Sequence, residues 1–510
     1  MITAKRRYSQ LVGKRDPYLN RARELAKYTI PSFYPPEGAN SHSQFPTPYQ
    51  SVGSRGVNNL ANRLLTTLFP PNEPFFRLTI DDFDLAAIAD DDDKRGRIER
   101  ALATIERTAL MEIETRAFRV PMYEALRHLI LSGNVLIFQI PNSEAMRVFP
   151  LSSYVVDRRS DGTATEIIIK ETVAVSKIDE NLHAHLKIKK NNSKPLTELE
   201  VDRYTRLTMT GPNKYVLYQE VNDVQIPDSR ATFDNDTNPF LALRFSRVEN
   251  EAYGRGFVEE YAGDLLSLEG LSKALVEGAA AKARILFLVN PNSTVDLKEI
   301  EEAENLGFAN GRSDDISVLS VDKSADFNFA LQFAERIEIR LSRAFMLSSS
   351  VQRNGERVTA EEIRYMASEL ENGLGGIFSL LSQELQLPVV RTILREMTTQ
   401  GKMPEFPEDY LKPQVVTGME AIGRDLDRSK IDAFMAGISQ LGEEAYREIN
   451  MSDLVQRYAA SSGLHTEGLI KTAEQKQLEQ QQLQQQQMQA LAGDLTRGVA
   501  PQLAKAATEQ

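Results

Sequence analysis

The 510-residue chain contains no cysteine and no tryptophan. Without cysteine there are no disulfides, thiolate metal sites or cysteine nucleophiles, a profile that suits a cytosolic or particle-bound protein. Long apolar runs are missing too. The nearest to a membrane span is Ile285–Val289, far short of the ~20 residues a bilayer needs, so no membrane partner is expected. Lys5, Arg6 and Arg7 are not followed by an apolar segment, which argues against a secretory signal. No Gly-x-x-x-x-Gly-Lys-Ser/Thr loop occurs, so an autonomous ATP motor is unsupported. His-Glu-x-x-His, a nucleophile elbow and a kinase motif set are likewise missing. Acid pairs such as Glu361-Glu362 occupy adjacent helix positions and point apart, so they cannot form a catalytic dyad. Asp90–Asp93 lacks the Gly and terminal Glu of a calcium loop and reads as solvated surface. No metal or cofactor is called for. Positive charge is in deficit: the net charge of −12 excludes a protein that binds nucleic acid over its whole surface. It does not exclude one past which DNA must slide, because an acidic wall withholds the counterion-release gain that makes DNA stick.

What is present is enough apolar residue (41%) for packed structure, in a chain long enough for several lobes. Residues 1–30 read as a basic helix, with Lys14, Arg15, Arg21, Arg23 and Lys27 as a solvated face or a contact for an acidic neighbour. Pro31, Pro35 and Pro36 close it. The block from Thr47 to Leu60 leads into an amphipathic helix, its glycines read as a tight turn. Ile98, Leu102, Ile105, Ala109 and Ile113 define one side of a further helix. Another ends at Ser132-Gly133-Asn134 and enters the apolar run Val135–Phe138. Between 145 and 250, short β-like runs (Val155-Val156, Ile167–Ile169, Leu186–Ile188, Val216–Tyr218) alternate with turn residues, predicting a mainly antiparallel lobe. His183 and His185 would share one face of a strand, more consistent with exposed histidines than a metal pair. The Gly-Arg-Gly at 254–256 is a weak phosphate signal.

Two helices then flank a short polar connector. The first carries Leu265, Leu268, Leu271, Leu275 and Ala279; the second carries Phe329, Phe333, Ile337, Leu341 and Phe345, read as one face. The connector, 291–325, is acidic at Glu299, Glu301, Glu302, Asp314 and Asp315. Next comes the stretch around which the chain is organised, Val351–Met397. It opens on a polar turn, Arg353-Asn354-Gly355-Glu356-Arg357. Thr359 and Glu362 stand three apart as a capping box. Ile363, Met366, Leu370, Leu374, Ile377, Leu381 and Leu385 then form a stripe on a helix of about 58 Å, with a hinge at Gly373, Gly375 and Gly376. A Gln-rich tract, Gln475–Gln489, and an Ala-rich tail follow.

That central stretch resembles the most recognisable segment of the portal proteins (head–tail connectors) of short-tailed podoviruses of the Autographiviridae type. Tyr28-Thr29-Ile30-Pro31-Ser32, the block from Thr47 to Leu60, Leu151–Val156 and Thr417–Arg424 are similar to the same family, so the likeness runs from about Tyr18 to Arg424. It implies an α+β portal fold: a mixed helix and sheet wing over 1–250, a first stem helix over 251–290 and a clip over 291–325. A second stem helix would follow over 326–346, a tunnel loop over 347–358, a long kinked helix over 359–424, and a helical crown over 425–510.

The resemblance also implies a function without enzymatic activity or cofactor. Twelve copies would form a ring at one capsid vertex of the virion, assembled in the host cytoplasm and conducting double-stranded DNA without sequence specificity. Expected partners are other copies of the chain, the major capsid and scaffolding proteins, the terminase large subunit during packaging, then the tail adaptor, and internal core proteins. Arg353, Asn354, Gly355, Glu356 and Arg357 would line the channel, and the acidic residues of 291–325 would form the docking tip. The alternative from a different class is a metal-dependent nuclease or hydrolase using an acidic cluster.

Overall fold

The computed structural model describes residues 2–40, 42–71, 75–79, 92–140, 145–188, 198–283, 286–292, 316–319, 324–347, 360–374, 376–402, 414–417 and 424–441, with isolated positions besides. The chain divides into two units, residues 1–422 and 423–510. In the second, Arg424–Leu441 is a helix, and the Gln-rich tract lies outside the described residues.

The first unit grows from helices α1 (Ala4–Lys27), α2 (Val52–Leu68), α3 (Asp92–Thr115) and α4 (Arg119–Ser132), which share one apolar core. Leu102, Ile105, Ala109 and Ile113 of α3 are all buried, as their spacing predicts. The basic face of α1 serves its own chain rather than solvent alone: Arg7 reaches Glu166 at 2.6 Å and Asp157 at 3.1 Å, and Lys14 reaches Asp157 at 3.2 Å.

Two antiparallel sheets hold the residues between 134 and 244. The strands β2 (Asn134–Gln139), β3 (Met146–Pro150) and β10 (Phe240–Arg244) form one, with β2 central; its alternate-free apolar run is buried on both faces. The other is a six-stranded meander from β4 (Tyr154–Arg158) and β5 (Ala164–Ala174) through β6 (Glu200–Gly211) and β7 (Lys214–Val221). It ends in the short strands β8 (Val224–Gln225) and β9 (Ala231–Asp234), which both pair with β7. Residues 183–187 are a turn rather than a strand. His183 follows a 3₁₀ turn, is buried, and sets Nε2 3.0 Å from the Ile178 carbonyl, so the two histidines do not share a strand face.

Glycine decides how α4 joins β2. Gly133 sits at φ 75°, and its N–H donates to the Leu129 carbonyl at 2.8 Å. A Cβ there would lie 2.3 Å from the Arg255 carbonyl carbon. The Gly-Arg-Gly at 254–256 is the other half of this contact: Asn134 exchanges two 2.8 Å hydrogen bonds with the backbone of Gly254. The glycines allow close backbone approach, and the weak phosphate signal resolves into packing.

Helix α5 (Phe257–Glu260) leads into α6 (Ala262–Ala283), which packs on α7 (Ser324–Ala344). Beyond α6, Leu286–Val289 is a strand, β11, paired antiparallel with β12 (Ile316–Leu319), so the helix stops at Ala283 and a two-stranded ribbon starts the connector. The stripe on α7 also divides. Ile337, Leu341 and Phe345 are buried, while Phe329 is 73% exposed and Phe333 47%. A strict step of four advances 40° per step at about 100° per residue, so five such residues wind round the helix instead of sharing a face.

Candidate functional site

The sequence points to residues 353–357 as a channel loop and to the acidic residues of 291–325 as a docking tip. Arg353, Asn354, Gly355, Glu356, Arg357 and Thr359 lie outside the described residues, as do Glu299, Glu301, Glu302, Asp314, Asp315 and Gly375. Glu362 falls within α8 (Ala360–Leu374), with its side chain outside the description. Gly373 is also in α8, and Gly376 takes φ 87° where that helix ends. What the structure describes in full is the foundation on either side of the loop.

At the near side, α7 ends in a Schellman motif: Leu347 N–H donates to Ser342 O at 2.7 Å and Met346 N–H to Arg343 O at 3.1 Å. Met346 occupies the left-handed position at φ 54°, where glycine is usual. Its side chain is buried, and its Cε would be 2.6 Å from a Cβ on Gly373 of α8. The C-terminal ends of α7 and α8 therefore meet at a glycine.

Helix α2 lies beneath both. Its Asn59 Nδ2 donates to Phe345 O at 3.0 Å and Met346 O at 3.1 Å. One turn on, Arg63 pairs with Glu369 of α8 at 2.9 Å. Gly56 receives the Phe345 ring, whose Cγ would stand 2.5 Å from a Cβ there. Phe257 meets that ring edge-on at 5.5 Å. Gly53 and Gly56, read in the sequence as a tight turn, are inside α2. Their spacing of three, which puts both near one helix face, was the available signal for close packing. Asn59 and Arg63 were missed because nothing local tells a polar residue on an amphipathic helix that its partner lies hundreds of residues away.

Beyond Gly376 the helix resumes as α9 (Ile377–Leu381), widens into a π-turn over Ser382–Gln386, and continues as α10 (Leu387–Thr399). Each polar face of the π-turn holds a different element: Ser382 Oγ bonds Thr417 Oγ1 at 2.9 Å, Glu384 pairs with Arg247, and Gln386 Nε2 donates to the Leu68 carbonyl at the end of α2. Thr417 belongs to β13 (Gln414–Thr417), which pairs with β1 (Phe76–Thr79). So the segment after Gly376 is held by three separate elements, while Gly376 itself is left-handed.

No cluster of three or more metal-ligating side chains occurs among the described residues. The arrangement is a buried scaffold that ties the end of α7 to α2 and α8. A family model described as bacteriophage head to tail connecting protein matches residues 2–470. The chain belongs to that family. The portal protein of Enterobacteria phage T3 is 39% identical over 480 residues, covering 93% of this chain and 89% of that protein. The portal protein of Escherichia phage T7 is 38% identical over 483 residues, with the same coverages. Among solved structures, a chain from the neck of an empty GTA particle gives a TM-score of 0.40 at 12% identity, over 75% of this chain and 86% of that one, a likeness too loose to bear on assembly. Membership makes the protein a structural component of the phage particle, joining head to tail, with the mixed α+β portal fold.

Proposed function

We propose that copies of this chain close into a twelve-membered ring at one capsid vertex and conduct double-stranded DNA, without catalysing a reaction. The observation that carries the reading is the outer face of the α6–α7 hairpin. Phe329 and Phe333 stack on each other at 6.5 Å with planes 7° apart, both exposed, and Leu331 and Ile339 are half-exposed elsewhere round the same helix. Leu266 and Val276 are exposed on α6. Such residues on one subunit and the other helix of the next form the two unlike surfaces that a closed ring requires. Glu335, Arg336, Glu338 and Arg343 are exposed on the same helix, and charges of both signs on a contact surface set register.

In the ring, a subunit charge of −12 gives the channel an acidic wall past which duplex slides. Arg353 and Arg357 would form a basic girdle on it, meeting phosphates without reading bases. The acidic connector, 291–325, is the proposed docking tip for the terminase large subunit and then the tail adaptor. Capsid, scaffolding and internal core proteins complete the partners, with assembly in the host cytoplasm before incorporation into the virion. The test is Phe329→Asp with Phe333→Asp: purified wild-type protein sediments as a closed ring, and the double variant as folded monomer. Wild-type protein that stays monomeric at any salt sinks the reading.

A further inference from the structure

The geometry points to a phosphate-binding site at the turn between β4 and β5, built from Arg158, Arg244 and Arg247. Three guanidinium groups converge there on Gly162. Arg158 Nη1 donates to the Gly162 carbonyl at 2.9 Å. From the place a Cβ on Gly162 would take, Arg244 Nη2 is 2.8 Å away, and the guanidinium carbons of Arg244 and Arg247 are each 3.9 Å away. The two carbons are thus separated by no more than twice that distance. Gly162 sits at φ 89°, a conformation side chains avoid, and its missing side chain lets the Arg244 guanidinium come close to the turn.

The cluster lacks the counter-charge that several part-buried arginines elsewhere in this chain have. Arg116 faces Glu112 and Glu396, Arg206 faces Glu166, and Arg63 faces Glu369. Among the described residues Arg158 meets only backbone carbonyls, those of Ala252, Gly162 and Ala242. Arg244 is 4% exposed, yet it makes a single long hydrogen bond, 3.3 Å, to the Glu251 carbonyl, and its Nε meets no acceptor. The nearby carboxylates are engaged otherwise. Glu251 and Glu259 take Arg255, Asp161 accepts from Thr163 N–H at 2.8 Å, and among the described residues only Glu384 reaches the cluster, through Arg247. Burial, with Arg158 and Arg247 beside it, lowers Arg244 to about 10, the mark of a cation waiting for an anion.

Charge selects the ligand class. Three cations against one carboxylate leave an excess of two, which a carboxylate halves and a phosphate, with charge of about −1.5 to −2 at pH 7, matches. Guanidinium forks also suit its oxygens. Arg244 forms the floor, and Arg247, at 46% side-chain exposure, the rim by which a ligand enters. The phosphate comes either free from solution or from a nucleic-acid backbone.

The site is independent of the ring proposed above and is tested on the full-length protein in whatever oligomeric state it takes. Inorganic phosphate, titrated against sodium chloride at equal ionic strength, is expected to give saturable binding by calorimetry and a matching rise in melting temperature. Arg247→Ala weakens that binding by about tenfold or more. Glu384→Gln, which frees Arg247, strengthens it. Arg244→Gln abolishes it; should that variant fail to fold, the opposite responses of the other two decide. Binding that does not saturate, or that both rim variants leave unchanged, overturns the proposal. A short DNA duplex that competes with phosphate on the wild type, but not on Arg247→Ala, assigns the ligand to the nucleic-acid backbone. A duplex that does not compete assigns it to free phosphate.

Discussion

Asn59 and Phe345 are 286 residues apart in sequence, yet the Asn59 carboxamide donates to the Phe345 carbonyl at 3.0 Å and to that of Met346 at 3.1 Å. Those carbonyls terminate α7, where a helix leaves acceptors without internal donors. One side chain of α2 thereby caps the helix that feeds the loop and keeps Met346 in its left-handed conformation.

Asn59→Ala removes both bonds and leaves two partly buried carbonyls unmet. At about 1 kcal/mol per bond, we expect a loss of roughly 1–3 kcal/mol, visible as a lower melting temperature. Asn59→Asp should cost more than Ala, since a carboxylate faces two carbonyl oxygens with no proton to offer. If Asp proves milder than Ala in denaturant titrations, the capping role is wrong.

Two glycines in helices should respond to alanine with opposite signs. At Gly56 the new methyl meets the ring of fully buried Phe345 at 2.5 Å, which cannot give way cheaply. Overpacking of about 1–3 kcal/mol outweighs the helix-propensity gain of up to ~1 kcal/mol. At Gly270 of α6 nothing lies within 4 Å, so the propensity gain stands alone and Gly270→Ala is expected to raise stability. Thermal melts of the two variants side by side provide the check.

His128 gives the core around α4 a defined acid limit. Its ring stacks on Phe33 at 4.5 Å and sets Nδ1 3.2 Å from the Tyr34 hydroxyl. Burial, aided by Arg127, holds it down at about 4 against an ordinary 6.5. Because the folded value is the lower one, the unfolded chain binds the proton first. The associated stability is present above pH 6.5 and lost as pH falls toward 4. At ~1.36 kcal/mol per pH unit the span permits a loss of up to about 3 kcal/mol. His128→Phe should flatten that part of the stability–pH curve; an unchanged acid limb would place the titration elsewhere.

How much of this was legible beforehand follows from the range over which each signal acts. The α3 stripe and the antiparallel wing strands were readable because period and turn residues are local properties. The α7 stripe misled because a step of four mimics one face over two turns and leaves it over four. Residues 183–188 have strand-like composition but fold as a turn whose partner, Ile178, lies five residues back. The block at Thr47–Leu60 was recognisable as a family segment, but its glycines acquire meaning only from Tyr28 and Phe345. Likewise the arginines at 158, 244 and 247 carry no motif in sequence; only the meeting of β4 and β10 brings them together.

The π-turn after Gly376 supplies the sharpest structural test. In it Leu387 N–H donates to Ser382 O, five residues back, so the segment holds one residue more than an α-helix would. Pro388 follows directly and withholds an N–H donor. That extra residue sets the angular offset at which Ser382 meets Thr417 while Gln386 meets the Leu68 carbonyl. Gln383 is exposed, so deleting it removes no packed side chain. The deletion does convert the turn toward α geometry and rotates everything on one side by about 100° relative to the other. Both anchors cannot then be kept. Gln386 is 1% exposed, so losing its partner strands a buried amide, at about 1–3 kcal/mol, and misplaced Leu385 and Val389 add to that. We expect the Gln383 deletion to destabilise far more than Gln383→Ala, which should be nearly silent. Hydrogen exchange should show lost protection in α10 and β13 together, since both are held through this turn. A deletion as stable as the point variant would mean that the π-turn is incidental and that α10 is held by its apolar face alone.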